Sequence, residues 1–352
     1  MNFDHLSTTE WIVLVVVILE VMIVFAALFT LLFLRRRSIG REQHYDEARR
    51  ELTEVMPELA GDTPESAHAR ALAIVTRLGP ESGRRLLTEL AEFVTLDHAK
   101  ALARVFVEAG FAAVSAAAAR RQPWERNRCV REGRALGDPA NVLAELVQDR
   151  LSDVRLSSFE ALCALGRAAE GLASLSAIAK DGRLARTRAI DALAATEPLP
   201  VPELAALSHD ADGELRLIAV GALGRSNRVD VVDVVVDAVT DVDIEVRIEA
   251  LRGLGELDDP KALPAVLRAL RDEFWEVRSA AVSTAAKLGG DGSASAIAPL
   301  LDDNAEWVRH NAALALTRCG PQGTAALREA AARGNENASS ALAEHRLATE
   351  GA

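Results

Sequence analysis

The sequence is poor in aromatic residues: 4% of its 352 residues, with Tyr45 the single tyrosine. Strands favour Tyr, Phe and Trp, so this scarcity argues against a β-sandwich or barrel. Three cysteines, Cys129, Cys163 and Cys319, cannot build a disulfide framework, and no two of them form a CxxC pair. Basic charge is in deficit, with 40 Lys+Arg against 52 Asp+Glu and a net charge of −12. That balance argues against a nucleic-acid binder, because phosphate contacts need a basic surface. Lysine is nearly missing; Lys100, Lys180, Lys261 and Lys287 are the only four, and the Ala/Arg bias resembles bacterial coding sequence of high GC content. The seven histidines are scattered and form no HExxH, and neither GxxxxGK[ST] nor GxSxG occurs. The sequence therefore assigns no catalytic residue, no metal ligand and no cofactor. Hydrophobicity is what it has: 49% of residues are apolar, too many for a disordered chain.

Part of that hydrophobicity is one continuous run. Trp11 to Leu34 reads WIVLVVVILEVMIVFAALFTLLFL. As a helix these residues span about 36 Å, enough to cross a hydrocarbon core of about 30 Å with some tilt. Asp4 and Glu10 precede the run, and Arg35, Arg36, Arg37 and Arg41 follow it, the reverse of a cleaved signal peptide. The positive-inside rule then predicts a single-pass span in the inner membrane, with the N-terminus outside and the remainder cytoplasmic. Arg35, Arg36 and Arg37 suit anionic lipid headgroups, at about 1 kcal/mol each. Glu20 lies near mid-span, where a carboxylate costs about 2.5–3.5 kcal/mol. Either a protonated Glu20 is tolerated in a very hydrophobic helix, or it faces a protein partner within the bilayer. Val24 and Ala27 share its helical face, and Ala27 permits close approach.

The remaining chain is periodic. Arg155, Arg186, Arg216, Arg247, Arg278 and Arg309 recur at steps of 31, 30, 31, 31 and 31. Three residues after each comes a small side chain (Ser158, Ala189, Ala219, Ala250, Ala281, Ala312) and four after an apolar one (Phe159, Ile190, Val220, Leu251, Val282, Ala313). Seven after comes leucine, replaced once by Ala285. Offsets of three, four and seven define one face of an α-helix. Asp138-Pro139 and Asp259-Pro260 open a second helix in their units, with Asp as cap and Pro in the first turn. The second helices are predicted over 139–149, 229–241 and 260–272. Asp230 and Asp237 in one unit align with Lys261 and Arg268 in the next, which predicts ion pairs between neighbouring second helices. Weaker copies extend upstream, so about nine units fit between Thr63 and Gly334.

The signature acid–aliphatic–Arg–x–x–small–aliphatic–x–x–Leu resembles the HEAT-repeat superfamily, in particular its short units of the phycobilin-lyase type. The resemblance covers about Thr63 to Gly334 and is strongest from Asp153 to Gly320. It implies an all-α fold: a right-handed α-solenoid of about nine HEAT-like helix pairs, preceded here by one N-terminal transmembrane helix. The expected organisation is a short outer tail (1–10), the span (11–34), a basic juxtamembrane helix (35–60) ending at Pro57, the solenoid (61–334) and a capping helix with tail (335–352). Each repeat arginine has an acid five or six residues earlier, among them Asp210, Asp241, Asp272 and Asp303. In HEAT-like arrays such positions are similar to a ladder tying repeat to repeat, and six arginines in register favour that structural role. Trp124, Trp275 and Trp307 stand two or three residues before a repeat arginine, where they either pack locally or anchor a partner.

The functional expectation is a membrane-anchored cytoplasmic scaffold that binds protein partners, including an integral membrane protein, as accessory subunit of a membrane complex. The alternative is a lyase- or isomerase-like subunit acting on a prosthetic group or a modified protein.

Overall fold

In the computed structural model, residues 8–60 and 64–350 are described; among residues 8–350 the side chains of 8–18, 32–34, 36–41, 61–63 and 348–350 are not. Every regular element among the described residues is a helix. The chain divides into two compact units, one of residues 1–118 and 135–140, the other of 119–134 and 141–352.

The first unit is organised by α1 (Thr8–Leu59), a continuous helix of 52 residues, about 78 Å long. Ala48, Leu52, Val55, Met56 and Leu59 form its buried stripe, at the three- and four-residue spacing of an amphipathic helix. They pack with α2 (Pro64–Ala91), α3 (Leu96–Glu108) and α4 (Phe111–Ala118) around Leu86, Leu87, Leu102, Val105, Phe106 and Phe111. The expected juxtamembrane helix is thus not a free spacer. Its second half belongs to a core, and it runs unbroken into the apolar segment upstream. Pro57 does not stop it: the proline falls in the last turn, and burial of Met56 and Leu59 on either side holds the helical path. α2 is broken at Gly79, whose φ of 77° and ψ of 171° lie in a region open to glycine and interrupt the helical path before Pro80. Tyr45 donates a 2.6 Å hydrogen bond to Glu89, and burial, with that carboxylate beside it, raises the phenol pKa.

The second unit is a series of helix pairs. The first helices are α5 (Pro123–Leu136), α7 (Ser152–Ala164), α9 (Arg183–Ala194), α11 (Gly213–Gly224), α13 (Ile244–Leu257), α15 (Trp275–Gly289) and α17 (Glu306–Arg318). The second helices are α6 (Leu143–Leu146), α8 (Leu175–Lys180), α10 (Val201–Leu207), α12 (Val232–Asp237), α14 (Leu263–Ala269), α16 (Ala294–Ile297) and α18 (Gly320–Ala332), and α19 (Glu336–Glu350) follows. The six repeats from Arg155 to Arg309 bury every residue at offsets three, four and seven. Each fully buried Leu, Val or Phe there contributes about 1.5–3 kcal/mol, and only stacking against the next pair supplies the cover. The small residues let first helices approach closely: a Cβ on Gly224 would stand 2.6 Å from the Cα of Gly253.

Most second helices are shorter than their apolar pattern implies. The predicted helix 139–149 is α-helical only over Leu143–Leu146, and 229–241 is a 3₁₀ turn, six α-helical residues and another 3₁₀ turn. These helices lie across short connections, and the tighter 3₁₀ turns at their ends re-aim the chain within a few residues.

Among the described residues no single helix is long and apolar enough to cross a membrane; the apolar stretch with described side chains is Leu19–Leu31. The remainder of the expected span, 11–18 and 32–34, lies outside the described side chains.

Candidate partner-binding surface

The repeat arginines stand at the start of each first helix, and each reaches in two directions. In the regular units Nη1 donates to the main-chain carbonyl of the aspartate six residues earlier: Arg216 to Asp210 at 2.9 Å, Arg247 to Asp241 at 2.7 Å, Arg278 to Asp272 at 2.8 Å and Arg309 to Asp303 at 2.7 Å. The rest of the guanidinium goes to a carboxylate one repeat ahead. Arg216 holds Asp241 by two 2.8 Å bonds, and Arg278 holds Asp303 by two 2.8 Å bonds. Arg126 pairs with Asp149, and Arg155 with Asp181. Asp149, Asp210, Asp241, Asp272 and Asp303 also accept from the main-chain N–H two residues on, as Asp241 does from Asp243 and Asp303 from Ala305. One aspartate therefore shapes its own turn, receives the preceding repeat's arginine and offers its carbonyl to its own.

Electrostatics follow the geometry. The Arg278 guanidinium holds the Asp303 carboxyl below its usual range, against the opposing effect of burial. Burial pushes Asp241 up, but Arg216 and the Asp243 N–H outweigh it, so the net direction is again down. Arg216 and Arg278 rise, chiefly through the hydrogen bonds to those carboxylates.

Three positions depart from the pattern. Arg186 pairs with Glu214 rather than with a turn aspartate, so Asp210 receives no arginine from the preceding repeat; this is where the repeat step shortens to 30. Arg309 turns back to Glu306. Arg247 sits 3.2 Å from Asp272, but its Nε points off the hydrogen-bond line and has no acceptor. The Phe274 ring lies 5.3 Å from its guanidinium carbon. The ion pairs expected between second helices do not form: Arg228 takes both oxygens of Asp230, at 2.9 and 2.7 Å, and Lys261 and Arg268 make no salt bridge among the described residues.

The three tryptophans open first helices and are exposed: Trp124 by 59%, Trp275 by 41% and Trp307 by 64%. Trp307 packs edge-on against His310, with 6.4 Å between ring centroids. Sequence reasoning missed Leu184, Val242 and Phe274, which are exposed on the same turns. Their signal was present: each is an apolar residue two to five positions before a repeat arginine, outside the buried offsets.

On α1, Glu20, Val24 and Ala27 share one face and are exposed, as are all the described side chains from Leu19 to Leu31. Thr30 returns its hydroxyl to the Ala26 carbonyl at 2.7 Å, which satisfies it within its own helix. Arg35 is exposed; the side chains of Arg36 and Arg37 lie outside the described residues. All three cysteines are buried thiols, and no group of three His, Cys, Asp or Glu among the described residues could hold a metal ion.

The family model for HEAT repeats matches residues 201–273, 239–317 and 266–348. The matched residues include the first helices that carry Arg216, Arg247, Arg278 and Arg309. No curated protein sequence matches the chain. Among solved structures, an engineered protein is 20% identical, with 88% of this chain and 94% of that one covered at a TM-score of 0.34. Human deoxyhypusine hydroxylase in complex with glycerol is 19% identical, with 80% and 98% covered at 0.32. Kap121p bound to Ste12p is 13% identical, with 80% of this chain but 38% of that one covered at 0.43. Likenesses this loose carry nothing about activity or partners.

Proposed function

We propose that the protein is a membrane-anchored, non-enzymatic HEAT-repeat scaffold. Its N-terminal helix crosses the inner membrane once with the N-terminus outside, and its repeats display a surface to protein partners in the cytoplasm. The observation that carries the anchor is α1 itself. Its described side chains from Leu19 to Leu31 are all exposed, in the same unbroken helix whose other end is buried in a core. Thirteen residues rise about 20 Å, and the flanking apolar residues Trp11–Ile18 and Leu32–Leu34 extend the run to about 36 Å. The scaffold role is supported by the repeats, because stacked helix pairs present extended surfaces suited to polypeptides. Arg35–Arg37 would meet anionic headgroups, and Glu20, Val24 and Ala27 would face an integral membrane client.

Alkaline carbonate extraction of membranes from expressing cells tests the anchor. The full chain should stay in the pellet and a chain lacking residues 11–34 should be released, with a C-terminal tag digested by protease only after the inner membrane is opened. A full chain released by carbonate would refute the anchor.

A further inference from the structure

The exposed large apolar side chains of the second unit are concentrated in one place. Among the described residues there are eight: Trp124, Leu184, Val229, Val242, Phe274, Trp275, Trp307 and Leu347. All except Val229 and Leu347 stand two to five residues before a repeat arginine, in the turn that opens a first helix. Scattered exposed apolar residues need no explanation, but six of eight within one four-residue stretch of the repeat do. The last three units are consecutive in this respect, carrying Val242, then Phe274 and Trp275, then Trp307. Contact already crosses from unit to unit there, since Phe274 lies over Arg247 of the preceding repeat.

The same turns are acidic. Asp241, Asp272 and Asp303 are spent on the ladder, but Glu245, Glu273, Glu276 and Asp302 make no salt bridge among the described residues, against Arg271 as the base in these turns that makes none; Asp302 accepts from Asn335 at 3.3 Å. Beside the strip, at the Arg247 rung, is a hollow of about 370 Å³ walled by Val239, Ala265, Ala269, Arg247, Arg268 and Asp272. Arg247 is more than nine-tenths buried there, with its Nε–H lacking an acceptor.

We infer that this edge, from Val242 to Trp307, is the docking strip for an extended polypeptide segment that is both basic and apolar. The inference rests on the scaffold reading above and names the partner's chemistry. Charge complementarity selects the sign, because carboxylates without a salt bridge outnumber the arginines without one along these turns and the hollow beside them. Stacked repeats lie about 8–10 Å apart, and a chain in the extended polyproline II form advances about 3.1 Å per residue with three residues per turn, so every third side chain returns to one face. Apolar side chains three residues apart on the partner therefore fall on successive units, with basic side chains between them reaching the carboxylates.

The test uses the full chain in mild detergent and three fluorescein-labelled synthetic peptides, read by fluorescence polarisation. The first has leucine at every third position with arginine between; the second has the same composition with its leucines gathered in one block; the third replaces arginine by glutamate. The first should bind at least about tenfold more tightly than the others, and more weakly as salt rises. Trp275→Ala and Trp307→Ala should each weaken it about tenfold, as truncation of aromatic anchors does, and Val229→Ala should leave it unchanged. Equal binding of the basic and acidic peptides, no binding at all, or binding indifferent to both tryptophan substitutions would each overturn the docking strip. The scaffold reading fails separately. A protein subunit that co-purifies stoichiometrically and stays bound to the Trp275→Ala, Trp307→Ala double variant leaves that reading standing and places the interface elsewhere.

Discussion

Replacing Arg216 by alanine removes one complete rung. The side chains of Arg216 and Asp241 are 11% and 10% exposed, joined by two 2.8 Å bonds, with a further 2.9 Å bond to the Asp210 carbonyl. Removing one partner of a largely buried pair leaves the other charge uncompensated, at a cost of about 3–5 kcal/mol. The orphaned carbonyl falls within that figure rather than adding to it, since the two losses share one side chain. Repeat arrays couple mainly to nearest neighbours and can lose two-state behaviour, so one global midpoint is a poor readout. Native-state hydrogen exchange followed by mass spectrometry is better suited. Peptides from α11 and α13 should lose about two to three and a half decades of protection, at 1.4 kcal/mol per decade. Arg252→Ala is the control. Its side chain is 62% exposed and lies 3.6 Å from Glu249, so the loss should stay below about 1 kcal/mol. Arg216→Met with Asp241→Leu should recover most of the protection, because no charge is left unpaired. If Arg216→Ala costs no more than Arg252→Ala, the ladder is ornament and the reasoning is wrong.

Arg247→Ala should cost about 1–2 kcal/mol less than Arg216→Ala in the same assay, since its contacts with Asp272 are 3.2–3.3 Å and its Nε has no acceptor. Gly224→Ala gains about 1 kcal/mol of helix propensity but drives a Cβ to 2.6 Å from Gly253 Cα; a net loss of about 1–3 kcal/mol should appear as a lower midpoint in thermal melts. Asp241 and Asp303 have depressed pKa values, so their contribution is complete above the unfolded aspartate value of about 3.9 and is lost as pH falls through the lower folded values. Circular dichroism melts should therefore fall below about pH 4, and less steeply for Asp303→Asn. Burial pushes the Cys163 thiol up to about 11, so iodoacetamide should spare it at neutral pH and alkylate it only after denaturation.

The arginine period was legible because one side chain does the same job in successive units, and the offsets three, four and seven were legible because a stacked helix buries one face. The aspartates were visible too, but not their direction. Spacing placed each beside the arginine six residues later, whereas its carboxylate serves the arginine about 25 residues earlier. The step of 30 at Arg216 marked an irregular rung without revealing that Glu214 would take Arg186. The length of the second helices was hidden, because 229–241 reads as one amphipathic run and its 3₁₀ ends depend on how the units join. Pro57 misled for the same reason: a proline is tolerated in a last turn when packing on both sides holds it. Val242 and Leu184 went unnoticed because apolar residues are read as core, and only burial distinguishes an exposed strip from an interior one.

What accompanies the chain out of the membrane tests the scaffold most directly. Purification in mild detergent, followed by mass measurement of the intact assembly, should yield the chain with a stoichiometric protein subunit, and the Trp275→Ala, Trp307→Ala double variant should yield the chain without it while its helical signal and melting midpoint are unchanged. A chain that emerges with a bound small molecule and no protein subunit would contradict the scaffold.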